Sequence, residues 1–543
     1  MSTRRRRSRR LLPIPSLRMI SVIMILISVA ILLLQLLIFS QQENRLPDDI
    51  IVAGIDVGGY TEAEASITWE QAYAQPLILY YGDSPIVLDP AQVGFRPNVQ
   101  VMLASANNVT EAEGNFWVRY INYLLGQNIQ RNTSNLPLSA DYQVGLLRRF
   151  LEDIAARYDQ PPGEPFYDTQ TLTTYAGETG YTLDIEEALN MIDIALRDPI
   201  NRTVILPIGG TDANRPNIET LEDLIVSYLD SKGFIYDGQT TTAGIFIMNL
   251  QTGEEVNLLG DVAFSAASTT KVSILLDYFR YLDDEPSDDE KWLLANSLLC
   301  SDNGSSNLLM EILGGGNIFN GILSVTNTAQ RAGAENSFIS APFAEPGREL
   351  GSIEVEQGDA NPDHNTDPDI YNQMTAEDIG TLYSMMYDCA NYGSGLVAAF
   401  PEGTYTQNEC RQMLELMSAN DLERLLQGGI PEDVRITHKN GWLNTSAVVG
   451  DAGIVYPPNG QNYVIAVYLW EQTTQDEATR VGFEELWPLM EDISRAAWNY
   501  FSPETPLINA RELPYTARDC EQNGYLPPYG QVDLNDINGW RNP

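Results

Sequence analysis

Histidine and lysine are both scarce in this 543-residue chain: two of the first and four of the second, against 28 arginines. So few histidines exclude a histidine-built zinc site. They also leave only His364 or His438 to serve a Ser-His-Asp triad. His364 lies in a Pro/Asp/Asn-rich stretch and His438 sits beside Lys439. A serine mechanism built on lysine is therefore the better-supported reading. Arginine keeps its proton in a protein, whereas lysine releases it when desolvated or crowded by other cations. Lysine retained in Ser268-Thr269-Thr270-Lys271 and in Lys439-Asn440-Gly441 points to a titratable amine at both places. Compositional drift is the plain alternative.

Positive charge as a whole is short. The net charge is −42, and residues 1–18 hold seven arginines and no acid, so the rest carries about −49 from 25 basic and 74 acidic side chains. Such a surface repels nucleic acid and anionic lipid and stays soluble. No nucleic-acid partner is expected, and no cofactor or metal is implied. Cysteine is limited to Cys300, Cys389, Cys410 and Cys520. Four fit an exported protein with up to two disulfides, in any of three pairings. Cys389 and Cys410 flank a glycine-containing turn between two helical patterns and are the favoured pair. Four unpaired buried thiols are the alternative.

Long apolar runs are limited to one. Residues 19–39 (MISVIMILISVAILLLQLLIF) carry no charge and are long enough to cross a bilayer. The arginines before them keep that end cytoplasmic and send the rest outward. A cleaved signal peptide is the alternative, but the run is long for one and no small-x-small site precedes Gln41. The expectation is a single-pass membrane protein with its N-terminus cytoplasmic: a basic tail over 1–18, then a transmembrane helix over 19–39.

Beyond a short tether, Ala53–Gly59 reads as a strand running into a glycine turn. Thr61 with Glu64 reads as a capping box. Pro76–Tyr81 and Ser84–Leu88 flank Gly82-Asp83 as a hairpin. Residues 139–158 and Asp184–Arg197 have helical spacing, and Tyr167–Tyr175 and Asn201–Ile208 are strand-like. Together they make an α+β domain over 50–210, with no nucleophile constellation and a boundary within Gly209–Pro216. Through Gly54–Thr61 and Gly180-Tyr181-Thr182-Leu183-Asp184 it resembles the peptidoglycan-binding module that often precedes enzyme domains in bacterial wall proteins. A spacer is the alternative. Residues 340–370 read as a long surface loop, and the Pro/Asn-rich tail, 501–543, as a wrap or a mobile end.

Chemistry concentrates in residues 230–500. Ala243–Asn249 and Glu255–Leu259 form a hairpin, and Thr270–Leu282 is helical by pattern. Ser268 thus stands near a helix N-terminus, where free N–H groups and the helix dipole favour developing negative charge. Lys271 follows three residues on, beside Ser268 on one face. Its apolar neighbours imply desolvation, which lowers its pKa and equips it to take the serine proton. Ser301-Asp302-Asn303 lies between helical runs at Lys291–Leu299 and Ser306–Leu313, where a loop projects a hydroxyl and an amide. Lys439-Asn440-Gly441 ends the β-rich stretch Arg435–His438. Strands 445–456 and 462–470 follow. Taken singly, each has an ordinary explanation: a capping serine with a snorkelling lysine, helix punctuation, and a polar turn.

In the order S-x-x-K, S-D-N, K-x-G the three resemble class A β-lactamases and penicillin-binding proteins. The resemblance implies an α/β (α+β) fold: an antiparallel five-stranded sheet flanked by helices, plus a helical subdomain. It implies Ser268 as the acylated nucleophile and Lys271 as its activator. Ser301 would relay a proton to the leaving nitrogen, and Asn303 would bind the acyl amide. Lys439 would attract a substrate carboxylate and depress the pKa of Lys271. Asn440, Gly441 and Trp442 would line the substrate, with the N–H groups of Ser268 and Trp442 as oxyanion hole. The substrate implied is a β-lactam or a peptidoglycan-like D-alanyl peptide.

Three departures matter. Asn440 replaces a hydroxyl residue. The Lys271–Ser301 gap is short, with Asp283–Glu290 as a compact acidic turn. No glutamate of the omega-loop pattern is in frame, although Glu345, Glu349, Glu354 and Glu356 lie in the region. That glutamate positions the water that clears the acyl-enzyme, so acylation is better supported than rapid hydrolysis. A D,D-peptidase with slow deacylation and a non-catalytic wall-binding scaffold are the alternatives.

Overall fold

A computed structural model describes residues 17–111, 114–126, 134–236, 238–282, 286–347 and 351–517. Outside the described residues lie most of the basic tail, the acids at 283–285, Glu349, and Cys520 with the rest of the C-terminal tail. The chain forms two compact units, one of residues 1–162 with 179–213, the other of 163–178 with 214–543.

The first unit begins with α1 (Leu17–Glu43), whose 27 residues span about 40 Å. It is long and apolar enough to cross a membrane. The helix Glu62–Tyr73 starts at Thr61, whose side chain accepts from Glu64 N while the Glu64 carboxylate accepts from Thr61 N. Strands Leu77–Tyr81 and Ser84–Leu88 pair around Gly82-Asp83, and Thr203–Ile205 adds in parallel. Trp69, Leu79, Leu147, Leu151, Ile192 and Leu196 fill the core between them. Further along the unit, Phe116–Leu124 forms α2, capped by Asn115.

Two stretches differ from expectation. Ala53–Gly59 is not one strand: Ile50–Val52 turns back onto Ile55–Asp56. Ala53 (φ 55°) and Gly54 (φ 73°) both take left-handed backbone at the turn, as a two-residue hairpin of matching twist requires. Tyr167–Tyr175 is a hairpin, Phe166–Asp168 with Thr173–Tyr175. It packs in the second unit, where the Asn499 amide donates to the carbonyls of Thr171 (3.2 Å) and Leu172 (2.9 Å). Gly209–Thr211 lie in a strand paired with Gly180–Leu183, and the first unit ends at Ala213.

The second unit is built on an antiparallel five-stranded sheet: β1 (Thr241–Asn249), β2 (Glu255–Leu258), β3 (Arg435–Trp442), β4 (Ala447–Tyr456) and β5 (Tyr463–Glu471), in the order β2-β1-β5-β4-β3. Side chains alternate across it. On β5, Ile465, Val467 and Leu469 join a core with Leu221, Leu224, Met490 and Trp498 from helices Ile218–Ser231 and Trp487–Phe501. Val464, Ala466, Tyr468 and Trp470 join the opposite core, with Val272, Leu309, Ile322 and Leu382 from helices on the other side. Both faces are covered, which is why this strand is apolar throughout and not alternating. On the second of these faces lie α3 (Lys271–Arg280), α4 (Asn303–Leu313), Ile318–Arg331, Ala376–Tyr392 and Gln407–Ser418. Cys389 and Cys410 form a disulfide, and Cys300 is also disulfide-bonded. Residues 502–517 run along the unit: Arg424 donates to the carbonyls of Pro514 (2.6 Å) and Tyr515 (2.7 Å).

Candidate active site

Three elements meet at one edge of the sheet: the turn before α3, the loop before α4, and β3, the edge strand. Ser268 lies in the turn before α3, one turn ahead of Lys271. The turn is held tightly. Ala267 takes a left-handed φ of 49°, a strained backbone that persists only where neighbours enforce it. Asn372 does so: its amide donates to Ala267 O (2.8 Å) and its Oδ1 accepts from Thr270 Oγ1 (2.5 Å). Thr269 Oγ1 bonds Ala266 O (2.7 Å) and the Tyr468 hydroxyl (2.6 Å). The Ser268 hydroxyl has no hydrogen-bond partner among the described residues.

Gly441 explains how β3 reaches this turn. A Cβ there would stand 2.6 Å from Ser268 N and 3.0 Å from Thr269 N, so only glycine permits the approach. Lys439-Asn440-Gly441 are thus strand residues, not a closing turn, and Trp442 ends the strand with its ring 5.0 Å from that of Trp487.

Two buried lysines converge on Ser301, itself in a strained left-handed conformation (φ 58°). Lys271 Nζ donates to Ser301 O (2.5 Å), Ser301 Oγ (3.3 Å) and Asn303 Oδ1 (3.1 Å). Lys439 Nζ donates to Ser301 Oγ (3.1 Å) and Asn440 O (2.8 Å). Lys271 therefore points at the Ser301 loop; sequence spacing placed its amine beside Ser268, and no hydrogen bond joins the two side chains. Burial pushes the Lys271 amine well below the ordinary lysine range, and the Lys439 cation pushes the same way; Asp302 opposes both. Burial brings Lys439 down to about 7, against the attraction of Asp451. Asp302 itself caps α4, accepting from Ser305 N (2.6 Å), so the helix start fixes the loop that carries Ser301 and Asn303.

Several contributors were not legible from the motifs. Asn420 donates to His438 O and to Asn440 Oδ1, both at 3.2 Å, so the amide oxygen of the buried Asn440 is engaged within the fold. His438 Nδ1 lies 3.0 Å from both Asp451 carboxylate oxygens, a fully buried pair. Residues 343–345 form a wall. Asn307 holds Phe343 by two backbone contacts, Nδ2 to Phe343 O and Phe343 N to Oδ1, each 2.9 Å. The Phe343 ring lies 4.9 Å from Lys271 Nζ. Asn303 Nδ2 donates to Ala344 O (3.0 Å), and the half-buried Glu345 accepts from Asn307 Nδ2 (2.5 Å). The side chain facing the lysine is an aromatic ring. No short pattern marks Asn307, Asn372 or Asn420, because each acts across a long sequence separation.

Residues 231–292 and 290–501 match the model of the beta-lactamase enzyme family. This part of the chain belongs to that family. Residues 86–204 match the model described as "Putative peptidoglycan binding domain". The beta-lactamase-family domain is similar to three solved structures, each at low identity. One is a mutant of PBP-A as an acyl-enzyme complex with penicillin G, at 22% identity over 53% of this chain and 97% of that one, TM-score 0.38. Another is a beta-lactamase from Sphaerobacter thermophilus, at 19% identity over 53% and 98%, TM-score 0.35. The third is the TLA-1 extended-spectrum beta-lactamase, at 18% over 52% and 99%, TM-score 0.36. No curated protein matches the chain.

Proposed function

We propose that the beta-lactamase-family domain is a membrane-anchored, extracytoplasmic serine hydrolase that is acylated at Ser268 and deacylates slowly. The observation that carries this is the pair of buried lysines sharing Ser301 beside the strained Ser268 turn. Perturbed amines in such a constellation are costly to the fold and mark chemistry better than packing.

The steps follow from the residues. Burial and Lys439 favour loss of a proton from Lys271, and the amine so freed takes the Ser268 hydroxyl proton. Ser268 Oγ then attacks the carbonyl carbon of a β-lactam or D-alanyl-type amide. Ser268 N–H and Trp442 N–H receive the developing oxyanion. As the C–N bond breaks, Ser301 gives its hydroxyl proton to the leaving nitrogen and is resupplied from the lysine ammonium groups it touches. Lys439, while charged, draws in a substrate carboxylate. The hydroxyl beside it is that of Ser301, since position 440 is an asparagine whose Oδ1 accepts from Asn420. Asn303 binds the acyl amide by exchanging Ala344 O for the substrate carbonyl.

Deacylation needs a base beside the ester. Phe343 occupies the wall over Lys271, and its ring cannot take a proton from water. The favoured reading is therefore a penicillin-binding-type enzyme, with a D,D-peptidase substrate near the wall. A non-catalytic scaffold would have no use for two desolvated amines. The α1 helix is read as an anchor with its arginine-rich end cytoplasmic, and residues 86–204 as a module that contacts or spans the wall. Labelling with a fluorescent penicillin tests the assignment: a covalent band absent in Ser268→Ala supports it, and equal labelling of both chains refutes it. Co-sedimentation with isolated peptidoglycan tests the module, and full recovery in the supernatant would leave it a spacer.

A further inference from the structure

The helix α2 (FWVRYINYL) has two apolar faces, and among the described residues only one is covered by protein. On the covered face, Phe39 of α1 meets the rings of Phe116 (5.4 Å), Tyr120 (5.4 Å) and Tyr123 (5.3 Å). The Tyr120 hydroxyl donates to Leu32 O (2.7 Å) and the Tyr123 hydroxyl to Gln35 Oε1 (2.8 Å). The one charge on α2, Arg119, pairs with Glu43 at the end of α1. On the open face, Trp117 (61%), Ile121 (54%) and Leu125 (65%) are exposed, with Val118 and Leu124 beside them. These recur at helical spacing and form one stripe.

We propose that this stripe of α2 lies in the outer leaflet of the membrane, as a second lipid contact beside the anchor. The inference rests on the reading of α1 as a membrane span. If Arg18 marks the inner boundary, a hydrocarbon core of about 30 Å takes about 20 residues and ends near residue 38. Of the residues that α2 grips, Leu32 and Gln35 then lie in the outer part of that core and Phe39 at its edge. A helix bonded to them cannot stand off in water; it sits at the headgroup–acyl boundary. Its composition suits that place: tryptophan and tyrosines, apolar branched residues, and no unpaired charge. The occupant is lipid by apolar contact and not by charge attraction, because the chain is strongly acidic and the stripe carries no cation.

The test uses the full-length chain reconstituted into phosphatidylcholine vesicles, with and without lipid brominated near the headgroup end of the acyl chain. The signal of Trp117 is the difference in emission between the native chain and Trp117→Phe, a conservative change at an exposed position. The expected result is that both proteins float with the vesicles, and that the difference emission is blue-shifted and loses most of its intensity in brominated lipid. Flotation with an unquenched, red-shifted Trp117 signal would overturn the α2 contact while leaving the anchor standing. Failure to float would overturn the anchor reading and this inference with it.

Discussion

Lys271 and Lys439, from a helix start and an edge strand, both donate to the hydroxyl of Ser301, at 3.3 and 3.1 Å. The Lys439 cation adds to burial in pushing the Lys271 amine down, which helps to keep Lys271 available for proton transfer.

Acylation should consequently depend on pH in a particular way. It rises as pH passes upward through the lowered pKa of Lys271, because only the neutral amine takes the serine proton. For substrates with a carboxylate it falls again as Lys439 loses its charge, near 7. In Lys439→Met the acid limb moves to higher pH, since the cation that depresses Lys271 is gone. Stability carries the opposite sign from a typical ion pair. Between about 7 and lysine's ordinary value near 10.4, the unfolded chain binds a proton at Lys439 that the native chain does not, so native stability grows with pH across that window. Lys439→Met reduces that dependence, leaving the part that Lys271 contributes, and is more stable at pH 6; thermal unfolding at pH 6 and 9 measures both effects.

Gly441→Ala places a methyl 2.6 Å from Ser268 N. The strand must back away, and a misplacement of about 1 Å at a reacting group costs about 10²-fold in rate. The expected outcome is a loss of penicillin acylation of that order, with a folded protein by circular dichroism. An unchanged acylation rate would mean that β3 does not set the position of Ser268.

Asn372→Ala removes both side-chain bonds that hold the Ser268 turn. Two buried bonds, with their partners left unsatisfied, predict a loss of about 2–4 kcal/mol in stability. Acylation should fall as well. Chemical denaturation measures the first and penicillin labelling the second.

Much of this arrangement was legible in the sequence. The three motifs sit where local patterns placed them, because each rests on a local signal: a desolvated helix start, an interhelical loop capped by Asp302, and a β-branched strand. The favoured Cys389–Cys410 pair is present, on two helices whose connection carries the short helix Leu396–Ala399. What the pattern does not carry is the partners of two side chains: Lys271 bonds the Ser301 loop, and Asn440 Oδ1 accepts from Asn420, since both partners come from distant segments. The strands expected over Ala53–Gly59 and Tyr167–Tyr175 are parts of hairpins whose turns place Ala53 and Leu172 in left-handed backbone, which the propensities of alanine and leucine do not announce.

Phe343→Glu places a carboxylate over Lys271. General-base catalysis typically contributes about 10²–10⁴-fold, so the acyl-enzyme lifetime should shorten by about 10²-fold or more. The new carboxylate also favours the charged form of Lys271, so the acid limb of acylation moves up in pH. Mass spectrometry of the penicillin adduct over time follows the lifetime, and an unaltered lifetime in a folded variant would mean that Phe343 is not what withholds the base.

The acylation claim is tested most directly by the intact mass of the full-length chain during incubation with penicillin G, with Ser268→Ala alongside. A single adduct of penicillin mass that persists, and is absent from Ser268→Ala, is the predicted result. An unmodified mass with penicillin neither bound nor consumed would contradict it.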